Sequence, residues 1–199
     1  MSYAFAETPG AGPLVFTFHG TGADETQFHG FARQILPEAH VISPRGDVSE
    51  MGALRYFRRR AEGVYDMDDL AQRTEAMADF LRAEKARVGA RRTLAFGYSN
   101  GANILASVGF AHPGIVEAMA LMHPLIPWQP QPQPGLSGRS VLITAGERDP
   151  ICPAPLNRAL EGWFADQGAE VTSHWHRGGH EITQDEVQAT ARFLQAQGA

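Results

Sequence analysis

A chain of 199 residues with 43% hydrophobic and 20% charged side chains has the makeup of one globular domain, large enough to bury a core without metal or disulfide staples. Its formal net charge of -5 argues against a nucleic-acid surface, its single cysteine excludes an internal disulfide framework, and no apolar run approaches the roughly 20 residues of a membrane span. The opening residues lack the basic and apolar stretches of a signal peptide, so a cytoplasmic protein is expected.

In chain order, Leu14 to Phe18 reads as a buried strand that runs into the glycine-rich loop His19-Gly20-Thr21-Gly22. Thr26 to Leu36 suits a helix ahead of Pro37, and His40 to Ser43 a short strand closed by Pro44. Pro44 to Met67 reads as irregular. From Asp68 to Val88, Leu70, Met77, Leu81 and Val88 recur at helical spacing, with Asp68 and Asp69 suited to the positive N-terminus and Gly89 to the end. Thr93 to Phe96 predicts a strand, Ala102 to Phe110 a helix and Val116 to Met122 a strand, followed by a proline-rich surface loop over Pro124 to Pro134. Ser140 to Ala145, Pro155 to Asp166, Val171 to His176 and Gln184 to Gln195 continue as strand, helix, strand and helix. Six strands alternating with helices predict an α/β fold: a mostly parallel central sheet with helices on both faces, one domain over 1–199, and no insertion long enough for a lid.

Gly97-Tyr98-Ser99-Asn100-Gly101 falls at a predicted strand-to-helix junction, where a G-x-S-x-G segment must turn so sharply that glycines flank the serine and its hydroxyl is exposed. Ser99 is therefore the candidate nucleophile. Asp149 and His180 follow two later predicted strands, in the order nucleophile, acid, histidine that α/β-hydrolases use. A serine hydroxyl needs a base, and the base needs an acid to orient it; His180 and Asp149 fit those roles. Oxyanion donors are expected from the backbone N–H of Asn100 and of Thr21, with Gly22 the alternative. His19, Gly22, Tyr56, Phe57, Tyr65, His123 and Ile126 are candidate pocket walls. The run Arg55, Arg58, Arg59 and Arg60 is expected to be solvated or paired with Glu62, Asp66 and Asp68, the alternative being a substrate anion. His174 and His176 share a strand face and are expected to meet solvent; no metal is expected, and Cys152 reads as a buried filler.

The chain resembles the phospholipase/carboxylesterase family of α/β-hydrolases, relatives of the acyl-protein thioesterases, through His19-Gly20-Thr21-Gly22, Gly97 to Gly101, Gly146-Glu147-Arg148-Asp149-Pro150 and Gly178-Gly179-His180-Glu181-Ile182. It is more similar still to a bacterial subgroup of predicted esterases, some associated with hydroquinone stress, through Ser43 to Gly46, Arg55 to Arg59 and Glu62 to Asp66. The resemblance implies a compact α/β-hydrolase fold and a serine esterase with triad Ser99, Asp149 and His180, no cofactor, and a small acyl ester as its partner molecule. The thioesterases usually carry glutamine after the serine and a hydrophobic residue after His-Gly; Asn100 and Thr21 stand here, which favours small esters over lipidated proteins. Two alternatives stay open: a non-catalytic small-molecule binding module, and a hydrolase of a lactone, amide or carbon–carbon bond. The assembly is left open between a monomer and a homodimer.

Overall fold

In the computed structural model, which describes residues 3–198, the apolar runs become strands of one sheet. The elements are β1 (Phe5–Thr8), β2 (Leu14–Phe18), α1 (His29–Ile35), β3 (His40–Pro44), β4 (Val48–Glu50), β5 (Ala53–Arg55), β6 (Arg59–Ala61) and β7 (Val64–Tyr65). The chain continues through α2 (Met67–Val88), β8 (Thr93–Tyr98), α3 (Asn100–Ala111), β9 (Ala118–Met122), a 3-10 turn at Pro134–Leu136, β10 (Ser140–Gly146), α4 (Ala154–Asp166), β11 (Glu170–His176) and α5 (Gln184–Gly198).

The main sheet has seven strands in the order β1-β3-β2-β8-β9-β10-β11. All neighbours are parallel except β1, which pairs antiparallel with β3 at one edge. Six strands were expected; the seventh, Phe5–Thr8, is a four-residue, half-buried edge strand with too little apolar pattern to announce itself. Side chains on β2 alternate between the two faces, as a pleated strand requires: Leu14, Phe16 and Phe18 join the core beneath α2, α3 and α4, while Val15 joins that beneath α1 and α5. Burial on both faces explains why this strand is apolar at four of its five positions rather than alternating, the buried Thr17 hydroxyl donating to Ser43 at 2.7 Å.

The stretch from Pro44 to Met67 is not irregular, as expected, but carries two small hairpins, β4–β5 and β6–β7. The first turns at Met51 and Gly52, both with positive φ (49° and 90°), a conformation that matches strand twist but lacks the Asn-Gly signature that would have flagged it. Asp66 caps α2 by accepting the Asp69 N–H, and Gly89, at φ 69°, ends that helix.

Topology decides where chemistry can happen. The chain leaves β2 toward β3 on one side and returns as β8 on the other, so a crevice opens above the carboxyl ends of β2 and β8. The register aligns Phe18 with Gly97, Tyr98 with Met122, Met122 with Thr144 and Gly146 with His176, which puts the loops after β2, β8, β9, β10 and β11 along one rim.

Candidate active site

Ser99 sits between β8 and α3 with φ 51° and ψ -115°, a backbone conformation that L-residues rarely adopt. The flanking glycines make that turn sterically feasible. A Cβ on Gly97 would lie 2.7 Å from the Gly101 carbonyl carbon and 2.9 Å from Phe18 Cβ; one on Gly101 would lie 2.5 Å from both the Phe18 and His19 carbonyl oxygens. The tight packing of β2, β8 and α3 leaves the hydroxyl half-exposed at the sheet rim.

There it meets the other two candidates. His180 Nε2 lies 3.0 Å from Ser99 Oγ, and His180 Nδ1 lies 2.7 Å from Asp149 Oδ2. With Nδ1–H donating to the carboxylate, Nε2 is free to accept the serine proton. Asp149 Oδ1 accepts the backbone N–H groups of Ile151 and Cys152 at 2.8 and 2.9 Å. Burial alone would raise the Asp149 pKa, but the Cys152 amide, His180, His123 and the Ile151 amide together lower it below its ordinary 3.8. Tyr98 fixes the histidine from its other side, its hydroxyl donating to the His180 carbonyl at 2.6 Å and its ring lying 5.2 Å from the imidazole.

Among the described residues, the Thr21 and Asn100 N–H groups have no intramolecular partner, whereas that of Gly22 donates to the Leu54 carbonyl at 2.9 Å and is spent. Thr21 is held by the buried Arg55, which donates to its hydroxyl at 2.8 Å and to the Phe57 carbonyl at 3.2 Å. Asn100 Oδ1 accepts the Tyr56 amide at 2.8 Å, which ties the segment after β5 to the serine turn. His19 braces the same loop: its Nε2 accepts the Gly46 amide at 2.9 Å, so Nδ1–H donates to the Gly20 carbonyl at 2.8 Å, and burial lowers its pKa and keeps the ring neutral.

The cleft over Ser99 encloses about 250 Å³. Of the expected walls, Tyr65 lines it; His19, Gly22, Tyr56, Phe57, His123 and Ile126 do not. Tyr56 and Phe57 are fully buried behind it, and Ile126 faces a separate depression beside Trp128. Arg55, Arg59, Glu62, Leu125, Ile151 and Cys152 complete the wall instead. Of the arginine run, Arg59 pairs with Glu62 as expected and also with Glu50, Arg58 and Arg60 are exposed as a solvated run would be, and Arg55 alone is buried, facing Glu50 at 3.4 Å. Larger depressions lie elsewhere, one of about 710 Å³ between the end of α2 and the turn after α3, but Ser99 is not among their linings.

His176 was expected to meet solvent and instead faces inward, 3.4 Å from His123 and 3.8 Å from Glu186. Glu186 was not anticipated as part of the site. The one signal was a capping box: Thr183 and Glu186 exchange N–H bonds at 3.2 and 3.3 Å at the start of α5, as T-x-x-E sequences do.

The sequence profile of the dienelactone hydrolase family matches residues 53–193. By sequence the chain is similar to MhqD of Bacillus subtilis (strain 168), which is named as a hydrolase, at 38% identity over 177 residues, 88% of each chain. Among solved structures it is similar to the protein Atu2452 of unknown function from Agrobacterium tumefaciens str. C58, with a TM-score of 0.91, 50% identity, and coverage of 98% of this chain and 96% of that one. It is also similar to the carboxylesterase of Bacillus cereus, with a TM-score of 0.88, 35% identity, and coverage of 100% and 95%.

Proposed function

The chain belongs to the dienelactone hydrolase family, and from that premise we propose that it is a serine carboxylesterase acting on small acyl esters through an acyl-enzyme. The observation that carries the reading is the unbroken chain Ser99 Oγ, His180, Asp149 at 3.0 and 2.7 Å. In this scheme Ser99 attacks the ester carbonyl while His180 takes its proton; the imidazolium, steadied by Asp149, then returns the proton to the leaving alcohol. Water, activated by the same histidine, releases the acid. The Thr21 and Asn100 N–H groups receive the oxyanion, a contribution of about 3–4 kcal/mol per donor.

A cleft of about 250 Å³ lies at the small end of ligand sites, which supports short substrates over lipidated proteins. The likeness to the phospholipase/carboxylesterase family and the similarity to a carboxylesterase favour open esters. A lactone, an internal ester cleaved by the same steps, is the second reading, favoured by the family description. Among the described residues no helix is long and apolar enough to cross a membrane, and the single cysteine, buried at Cys152, supports action in the cytoplasm.

A p-nitrophenyl ester series and a lactone panel test the reading, alongside fluorophosphonate labelling. Wild type is expected to hydrolyse acetate and butyrate esters and to be labelled at Ser99, with Ser99→Ala losing at least about 1000-fold in kcat. Full activity in Ser99→Ala would refute the mechanism; an unlabelled, inactive wild type would make the chain a binding module.

A further inference from the structure

His123 lies just past β9, fully buried and in a left-handed backbone conformation at φ 49°. Its ring stands between two carboxylates. Its Nδ1 lies 2.8 Å from Asp149 Oδ2, the oxygen that also accepts from His180. Its Nε2 lies 3.2 Å from Glu186 Oε1 and 3.3 Å from Oε2. None of these three side chains is exposed to solvent. Glu186 further accepts from the Thr144 hydroxyl and the Thr183 amide. Among the described residues neither carboxylate pairs with lysine or arginine, so a compensating positive charge has to come from an imidazole.

Two negative charges in one dry pocket repel, and a cation between them removes that cost. The surrounding groups leave His123 as that cation. His176 accepts the Gly178 amide on Nδ1 at 3.1 Å, so its proton is on Nε2 and is directed to Glu186 at 3.8 Å, because His123 Nε2, 3.4 Å away, offers no acceptor once it carries its own proton. A proton on that nitrogen disfavours a metal ion held by His123, His176 and Glu186, whose ligand atoms are otherwise close enough to share one. His180 is committed to Ser99. Tyr98 packs edge-on to the His123 ring at 5.8 Å, and the Cys152 thiol donates to the His123 carbonyl at 3.2 Å; neither supplies a charge.

We infer that His123 is a positioning residue, a buried imidazolium that bridges Asp149 and Glu186, fixes the orientation of the triad acid and moderates its pull on His180. Its effect on rate rests on the serine-esterase reading; its protonation does not. Burial disfavours the charged ring, but the hydrogen bond and charge of Glu186, then those of Asp149, outweigh it and raise the His123 pKa. Glu186 responds in kind: burial pushes it up, and the His123 bond and charge, Thr144 and Thr183 bring it below its ordinary value.

The ring can be read directly by nitrogen-15 NMR of wild type, with its signals assigned by their loss in His123→Asn. Two protonated ring nitrogens at neutral pH are expected, and a neutral His123 would overturn the inference. Kinetics supply the second arm, with kcat/KM followed against pH for wild type, His123→Asn and Glu186→Gln. Each variant is expected to lose about 10- to 100-fold through misorientation of the acid. Each is also expected to move the acid limb upward by about one pH unit, because His123→Asn removes the cation and Glu186→Gln removes the carboxylate that keeps it charged, leaving Asp149 unopposed beside the base. The double variant should move the limb no further than either single one. Lower activity with an unmoved limb would mean that His123 only packs, and would overturn the inference. Failure of the esterase reading looks different: wild type would neither turn over esters nor take up fluorophosphonate, while the NMR result would still decide the charge on His123.

Discussion

Asp149 divides its work between two oxygens, one fixed by backbone amides and the other shared by two histidines. An amide in its place keeps the shape but presents an N–H where His180 and His123 need an acceptor, which favours the wrong His180 tautomer. Asp149→Asn is therefore expected to lower kcat by about 10⁴-fold in steady-state assays with KM little changed, the cost of that tautomer in a comparable triad. An effect below tenfold would show that another group orients the base. The residue also explains why its partner histidine was hard to foresee. His180 follows two glycines and precedes a helix, a local signature, whereas His123, expected as a pocket wall, stands in Met122-His123-Pro124 with nothing nearby to mark it as a partner of Asp149.

The serine turn is built by three elements rather than by its own five residues. Strand β2 approaches α3 so closely that position 101 has no room for a methyl group, with the Phe18 and His19 carbonyl oxygens 2.5 Å from where its Cβ would stand. Those atoms are backbone of the central sheet and cannot swing aside. Gly101→Ala is expected to cost about 1–3 kcal/mol, read as a lower urea midpoint, and to displace the Thr21 loop as well as Ser99. An unchanged midpoint would mean that α3 can shift freely, contrary to its dense packing on β8 and β9. The same close approach separates what local pattern can announce from what it cannot. G-x-S-x-G advertises a sharp turn, but nothing in it shows that β4–β5 would fold over the turn and hand Arg55 to Thr21 and the Tyr56 amide to Asn100. Hairpins with three-residue strands and a Met51-Gly52 turn carry too few alternating positions for periodicity to detect.

Across the whole molecule, the buried charges tie stability to pH. Asp149 and Glu186 have folded pKa values below their ordinary 3.8 and 4.5, so the stability they contribute is present above those values and lost as pH falls through the folded ones. His123 is held above its ordinary 6.5, so its contribution is complete below that value and is lost as pH rises through the folded one. Urea midpoints should therefore be highest between these limits and fall on both sides, and His123→Asn should flatten the alkaline decline; an alkaline slope identical to wild type would contradict this. The α/β class, the order of the main strands and helices, and the three residues of the Ser99 chain were legible from residue order, because buried parallel strands are apolar throughout and sharp turns require glycine, both of which are local constraints. Which side chains surround that chain was decided only on folding. The sheet order brings β9 and β10 beside β8, and α5 back beneath them, so His123, Glu186 and Arg55 reach the site from positions distant in sequence, where burial and pairing depend on neighbours that no linear window contains.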